Sequence, residues 1–157
     1  MSSSSDKSDR KYAINRKALH DYLILEQLEA GVELKGTEVK SVRNGHISLA
    51  GSFARIKNGE VFLYNTEIPL YEYGGKYNHD PERIRRLLFH KKEIERLRVQ
   101  IEQKGCVLVP LSVYMKNGII KINLGLCKGK RMYDKRETLR RKAAERDAAR
   151  AVARKFR

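Results

Sequence analysis

The chain contains no tryptophan, two cysteines, three prolines and four phenylalanines in 157 residues. Two thiols, Cys106 and Cys127, are too few for a disulfide framework and read as reduced, buried residues of predicted strands. No stretch approaches the roughly 18 apolar residues of a membrane span. The opening Met1-Ser2-Ser3-Ser4-Ser5-Asp6 lacks the apolar run of a secretory signal, so residues 1–11 read as a disordered leader. Catalytic signatures are also missing. His20, His46, His79 and His90 have no metal-ligating spacing, no C-x-x-C pair occurs, and neither a G-x-x-x-x-G-K-[ST] phosphate loop nor G-x-S-x-G is present. The expectation is a chain without catalysis, metal or cofactor.

Negative charge is scarce: 34 Lys and Arg face 19 Asp and Glu, for a net +15. The excess is uneven. From Lys128 to Arg157, thirteen Lys or Arg face four acids, a net +9, with few large apolar residues. A basic segment on a basic body predicts a polyanionic partner, and nucleic acid is the commonest. Tail residues such as Ala143, Ala144, Ala148 and Ala149 favour helix, while the like-charged pairs Arg146–Arg150 and Arg150–Arg154 oppose it. The domain reading is a barrel over 12–128 and a tail over 129–157, disordered alone and helical on its polyanion.

The body reads as mainly β. Asn58-Gly59 joins Phe53–Lys57 to Glu60–Tyr64, and Asn117-Gly118 joins the strand ending near Met115 to Ile119–Cys127. Asn-Gly between alternating strands predicts type I′ hairpins. A strand is expected over His20–Glu29, with a bulge or bend at Gly31. A short helix is expected after Gly36, capped by Thr37 and stopped at Asn44-Gly45. Residues 67–81 form a loop rich in Tyr and Gly, and Arg85–Phe89 is extended. Lys91–Gln103 carries Ile94, Leu97 and Ile101 on one helical stripe, closed by Gly105. About six antiparallel strands with short helices predict an oligonucleotide-binding-type barrel.

Several residues suit RNA. Lys40 and Arg43, at i,i+3 on the short helix, can clamp adjacent phosphates. Tyr22, Tyr71, Tyr73, Tyr77 and Tyr133 lie near basic residues, and aromatic rings stack on unpaired bases. Tyr64 and Tyr114, within the hairpins, read instead as half-buried side chains.

Five stretches are more specific: Asn15-Arg16-Lys17-Ala18-Leu19-His20-Asp21-Tyr22; Glu29-Ala30-Gly31; Gly36-Thr37-Glu38-Val39-Lys40-Ser41-Val42-Arg43; Arg86-Leu87-Leu88-Phe89-His90; and Gly125-Leu126-Cys127-Lys128-Gly129-Lys130-Arg131-Met132-Tyr133-Asp134-Lys135-Arg136. Over residues 11–136, with a tail of matching character, the chain resembles the small protein B family, the SsrA-binding proteins of bacterial trans-translation. The resemblance implies a barrel that grips the tRNA-like domain of transfer-messenger RNA, with elongation factor Tu reached through the shared RNA, in the cytoplasm. It implies RNA-contact roles for Glu29, Leu88 and His90, and an RNA surface that takes in Asn15, Lys17, His20, Tyr22, Lys40, Arg43, Lys128, Lys130 and Arg131. Without it, Glu29 reads as a solvated strand acid, Leu88 as core and His90 as the neighbour of a helix cap. It further implies a tail in the empty mRNA path of the small ribosomal subunit. There Tyr133, Asp134, Lys135 and Arg136 would sit by the decoding centre, and Arg140, Arg141, Lys142, Arg146 and Arg150 would face ribosomal RNA.

Overall fold

Each Asn-Gly pair turns one strand back on its neighbour. In the computed structural model, which describes residues 11–155 and their side chains except those of 131–138 and 153–155, Asn58 and Gly59 have φ of 53° and 73°, and Asn117 and Gly118 have 52° and 75°. All four lie in the left-handed region that a type I′ turn requires.

Along the chain the elements are β1 (Lys11–Ile14), α1 (Arg16–Asp21), β2 (Tyr22–Val32), α2 (Gly36–Arg43), β3 (Phe53–Lys57), β4 (Glu60–Tyr64), a 3-10 turn (Gly75–Tyr77), β5 (Arg85–Leu88), α3 (Lys91–Lys104), β6 (Val107–Lys116), β7 (Ile119–Gly129) and α4 (Lys130–Lys155). The seven strands are antiparallel, in the order β1-β6-β3-β4-β5-β2-β7, and β7 also pairs with β6. Six strands therefore close into a ring, and β1 lies on the outer side of β6. The ring is narrowest in pairing between β3 and β6, joined in register only at Ala54 and Leu108.

Strand alternation fills the interior. Ile120, Ile122, Leu124 and Leu126 of β7 point inward with Val61 and Leu63 of β4, Leu87 of β5 and Leu28 and Ala30 of β2. Ile94 and Leu97 of α3 and Val42 of α2 join the same core, so both longer body helices bury one stripe against the barrel. Gly105, at φ 65°, ends α3 as expected. A smaller cluster of Ala18, Val109, Leu111 and Cys127 packs beneath α1.

Several details differ from expectation. The first strand starts at Lys11, inside the expected leader. Helix α1 is unforeseen, and it takes His20 out of the expected strand. The β2 bulge lies between Ile24 and Glu26 and not at Gly31, which pairs normally with Lys121 and Leu88. A second register shift falls between Pro110 and Ser112 on β6, where the missing proline N–H suits an irregular rung. Cys106 sits just ahead of β6 rather than within a strand. Both cysteines are buried and free, and burial pushes the Cys127 thiol up to about 11.

Helix α2 does not start on Thr37. Lys35 is its N-cap, and the Lys35 N–H donates to Glu38 Oε1 at 2.8 Å. Thr37 Oγ1 instead meets Nδ1 of buried His79 at 2.8 Å. Glu38 is fully buried and pairs with Arg85 Nε and, at 2.5 Å, with Arg83 Nη2. Burial alone would raise the Glu38 carboxyl, but the hydrogen bonds from Arg83, the Lys35 N–H and Arg85 hold it below the usual glutamate value. This network ties α2 to the start of β5.

Candidate nucleic-acid interface

The residues expected to touch RNA divide among three places on the barrel, ordered along β2. At its start Tyr22 faces Gly129 and Leu23 faces Lys128, so the chain leaves the barrel for α4 beside α1. Lys17 and His20 are exposed on α1, Lys130 is exposed at the head of α4, and Lys128 is half-buried. His20 Nδ1 lies 3.0 Å from Asp21 Oδ1. Tyr22 is half-buried against the small cluster beneath α1.

Asn15, expected on the RNA surface, lies inside the protein. It is 6% exposed and caps α1, accepting from the Ala18 N–H at 3.1 Å. Its Nδ2 donates to Pro110 O at 2.9 Å and Leu49 O at 3.3 Å. The amide is spent inside the protein, which makes Asn15 a support for the α1 surface and not a direct RNA contact.

At the far end of β2 lies the second group. Gly31 pairs with Leu88 of β5 and Lys121 of β7, and Glu29 pairs with Asn123. Glu29, two residues before Gly31, shares its outward face by the strand period of two. A Cβ on Gly31 would lie 3.3 Å from the Leu88 side chain, so the glycine lets Leu88 settle onto β2. Leu88 is 48% exposed while Leu87 beside it is 2% exposed. The reading of Leu88 as core is therefore overturned: in β5 the alternation sends Leu87 inward and Leu88 out. His90 is exposed and forms the N-cap of α3 itself, with no side-chain capping bond. The Glu29 carboxylate accepts from Tyr114 Oη at 2.5 Å and from Lys116 Nζ at 3.4 Å, both on β6. The Tyr114 hydrogen bond, against some desolvation and helped by Lys116 and Lys121, holds this carboxyl below its usual value. Tyr114 is half-buried, as expected of a hairpin tyrosine.

Four strands, β2, β5, β6 and β7, thus present an ionised carboxylate, amides, lysines and an exposed leucine on one face. A carboxylate accepts hydrogen bonds from the amino edges of unpaired bases, lysines neutralise phosphates, and leucine covers a ribose or a base face. Lys116, Lys121, Asn123 and Gln27, whose Oε1 accepts from Asn123 Nδ2 at 2.9 Å, were not singled out from sequence, and Tyr114 was read there only as a half-buried hairpin residue. Their strand parity was available, but the pairing of β2 with β7 and of β7 with β6 was not.

The third place is α2. Lys40 and Arg43 are both exposed, as the i,i+3 spacing requires, and Lys40 Nζ lies 5.3 Å from the centre of the Tyr71 ring. On α4, Arg140, Arg141, Lys142, Arg146 and Arg150 are exposed. The side chains of Arg131, Tyr133, Asp134, Lys135 and Arg136 lie outside the described residues. Among the described residues no cluster of His, Cys, Asp and Glu could hold a metal ion, and no helix is long and apolar enough to cross a membrane.

The family model described as SmpB protein matches residues 12–154. An SsrA-binding protein of Shouchella clausii (strain KSM-K16) is 58% identical over 145 residues, covering 92% of this chain and 93% of its own. An SsrA-binding protein of Geobacter sulfurreducens (strain ATCC 51573 / DSM 12127 / PCA) is 54% identical over 141 residues, covering 90% and 92%. A solved structure described as "tmRNA-SmpB: a journey to the center of the bacterial ribosome" is 51% identical with a TM-score of 0.63, covering 78% of this chain and 85% of that one.

Proposed function

This chain belongs to the SmpB protein family, and from that premise we propose that it binds transfer-messenger RNA and acts with it in trans-translation on stalled ribosomes. The match to SsrA-binding proteins over nine-tenths of the chain carries the reading. The barrel grips the tRNA-like domain of the RNA through Glu29, Leu88 and His90, joined by Lys17, His20, Tyr22, Lys128, Lys130 and Arg131. Lys40 and Arg43 supply phosphate contacts. The tail, 129–157, enters the empty mRNA path. Tyr133, Asp134, Lys135 and Arg136 sit by the decoding centre, and Arg140, Arg141, Lys142, Arg146 and Arg150 follow ribosomal RNA. Neutralising those arginines removes the like-charge repulsion along α4, so contact with ribosomal RNA strengthens the helix that Lys130–Lys155 form. The protein works in the cytoplasm and performs no chemistry; peptidyl transfer belongs to the ribosome.

Two measurements test this. Purified protein is titrated against transfer-messenger RNA, and a chain lacking residues 132–157, which keeps Lys130 and Arg131, is compared with the parent in a stalled-ribosome tagging assay. The truncated chain should bind the isolated RNA with nearly the parental affinity and support no tagging. Parental protein that ignores the RNA, or a truncation that still tags, would refute the scheme.

A further inference from the structure

The loop of residues 69–78 is built more firmly than its exposure would suggest. His79, 2% exposed, donates from Nε2 to Ile68 O at 2.7 Å and closes the neck of the loop. Asn78 clasps Tyr71 on both backbone groups: the Tyr71 N–H donates to Asn78 Oδ1 at 3.1 Å, and Asn78 Nδ2 donates to Tyr71 O at 2.7 Å. The amide fills the space beside Gly74, where a Cβ would meet Asn78 Nδ2 at 2.5 Å. Helix α2 braces one side, with Ser41 Oγ donating to Pro69 O at 2.8 Å and Lys40 above the Tyr71 ring.

On this clasped frame the rings face solvent. Tyr73 is 79% exposed and Tyr77 81%. Tyr71 and Tyr73 meet edge to face at 5.7 Å, and Lys76 Nζ lies 5.3 Å from the Tyr77 ring centre. Lys40, Arg43 and Lys76 lie beside the rings with Glu72, while Glu67, Asp80, Glu82 and Arg83 flank the neck of the loop. Rings largely open to solvent, held in place in advance and with Lys40 and Lys76 against two of them, suit a chain with planar faces and a phosphate at every step. We infer that the 69–78 loop, with Lys40 and Arg43 of α2, is a stacking shelf for an unpaired RNA strand, separate from the face around Glu29 and Leu88. The inference rests on the RNA-binding reading for its ligand class. It adds a single-stranded site beside α2, which follows the end of β2 opposite the root of α4.

The test uses the full chain and a short thiouridine-substituted single-stranded RNA, with photo-crosslinks mapped by mass spectrometry so that binding to the basic tail is told apart. Crosslinks should fall on Tyr73 or Tyr77. In high salt, Tyr73→Ala/Tyr77→Ala should weaken strand binding about tenfold with an unchanged salt slope, as loss of base stacking requires. Tyr73→Phe/Tyr77→Phe should retain affinity. Gly74→Ala, which displaces the Asn78 clasp without touching a ring, should weaken it as well. Crosslinks confined to the tail, or a double alanine variant within about twofold of the parent, overturn the inference. So does an equal loss on the tRNA-like domain, since the rings would then belong to the structured-RNA surface. Failure of the parent to bind the tRNA-like domain, with strand binding and its crosslinks intact, would sink the preceding reading and leave this one standing.

Discussion

Replacing Glu38 by Gln keeps the shape of the side chain and removes its charge. Glu38 is fully buried, so no water can take its place. Arg85, 1% exposed, keeps its hydrogen bond to Thr66 O at 2.7 Å but loses its counter-charge. Arg83, with 27% of its side chain exposed, can turn toward water and recover part of its loss. Removing one partner of a buried pair costs about 3–5 kcal/mol, and the mobility of Arg83 favours the lower half of that range. In a chain of this size about 3 kcal/mol corresponds to a fall in Tm on the order of 10 °C. Urea unfolding is the assay: the midpoint should drop while the slope stays the same, because the surface exposed on unfolding is unchanged. Glu38→Gln/Arg85→Gln should cost clearly less than the two single changes added together, since the second change removes the charge that the first left unpaired. A single variant within about 1 kcal/mol of the parent, or strictly additive costs, would refute the view that this network fastens α2 to the barrel.

Because folding lowers the Glu38 carboxyl below its ordinary 4.5, its stabilising effect is complete above about that pH and is lost as pH falls through the lowered value; unfolding followed against pH should show a shallower acid limb in Glu38→Gln. Leu88→Ala should change Tm little, because the side chain is half exposed, yet weaken binding to transfer-messenger RNA about five- to twentyfold by titration calorimetry, the loss expected for apolar area covered only in the complex. Asn15→Ala should do the reverse, costing about 1–2 kcal/mol in urea unfolding through the lost cap and leaving RNA affinity at the parental level.

Local chemistry alone set much of this molecule. Asn58-Gly59 and Asn117-Gly118 specify hairpins because few other pairs accept positive φ twice in succession. Ile94, Leu97 and Ile101 specify a helix because their spacing makes one stripe. The basic excess after Lys128 is a property of composition and needs no fold to be read. Closure of the ring decided the rest. Leu87 and Leu88 are the same residue type in adjacent positions, and only the direction in which β5 meets β2 and β4 buries one and exposes the other. Glu38 looks like a surface acid on a short helix until β5 brings Arg85 47 residues along the chain to meet it. Glu29 acquires Tyr114 and Lys116 from a strand 85 and 87 residues away. Pairings over such distances depend on how strands are ordered around the barrel, and strand order is set by the summed burial of the whole core rather than by any segment within it.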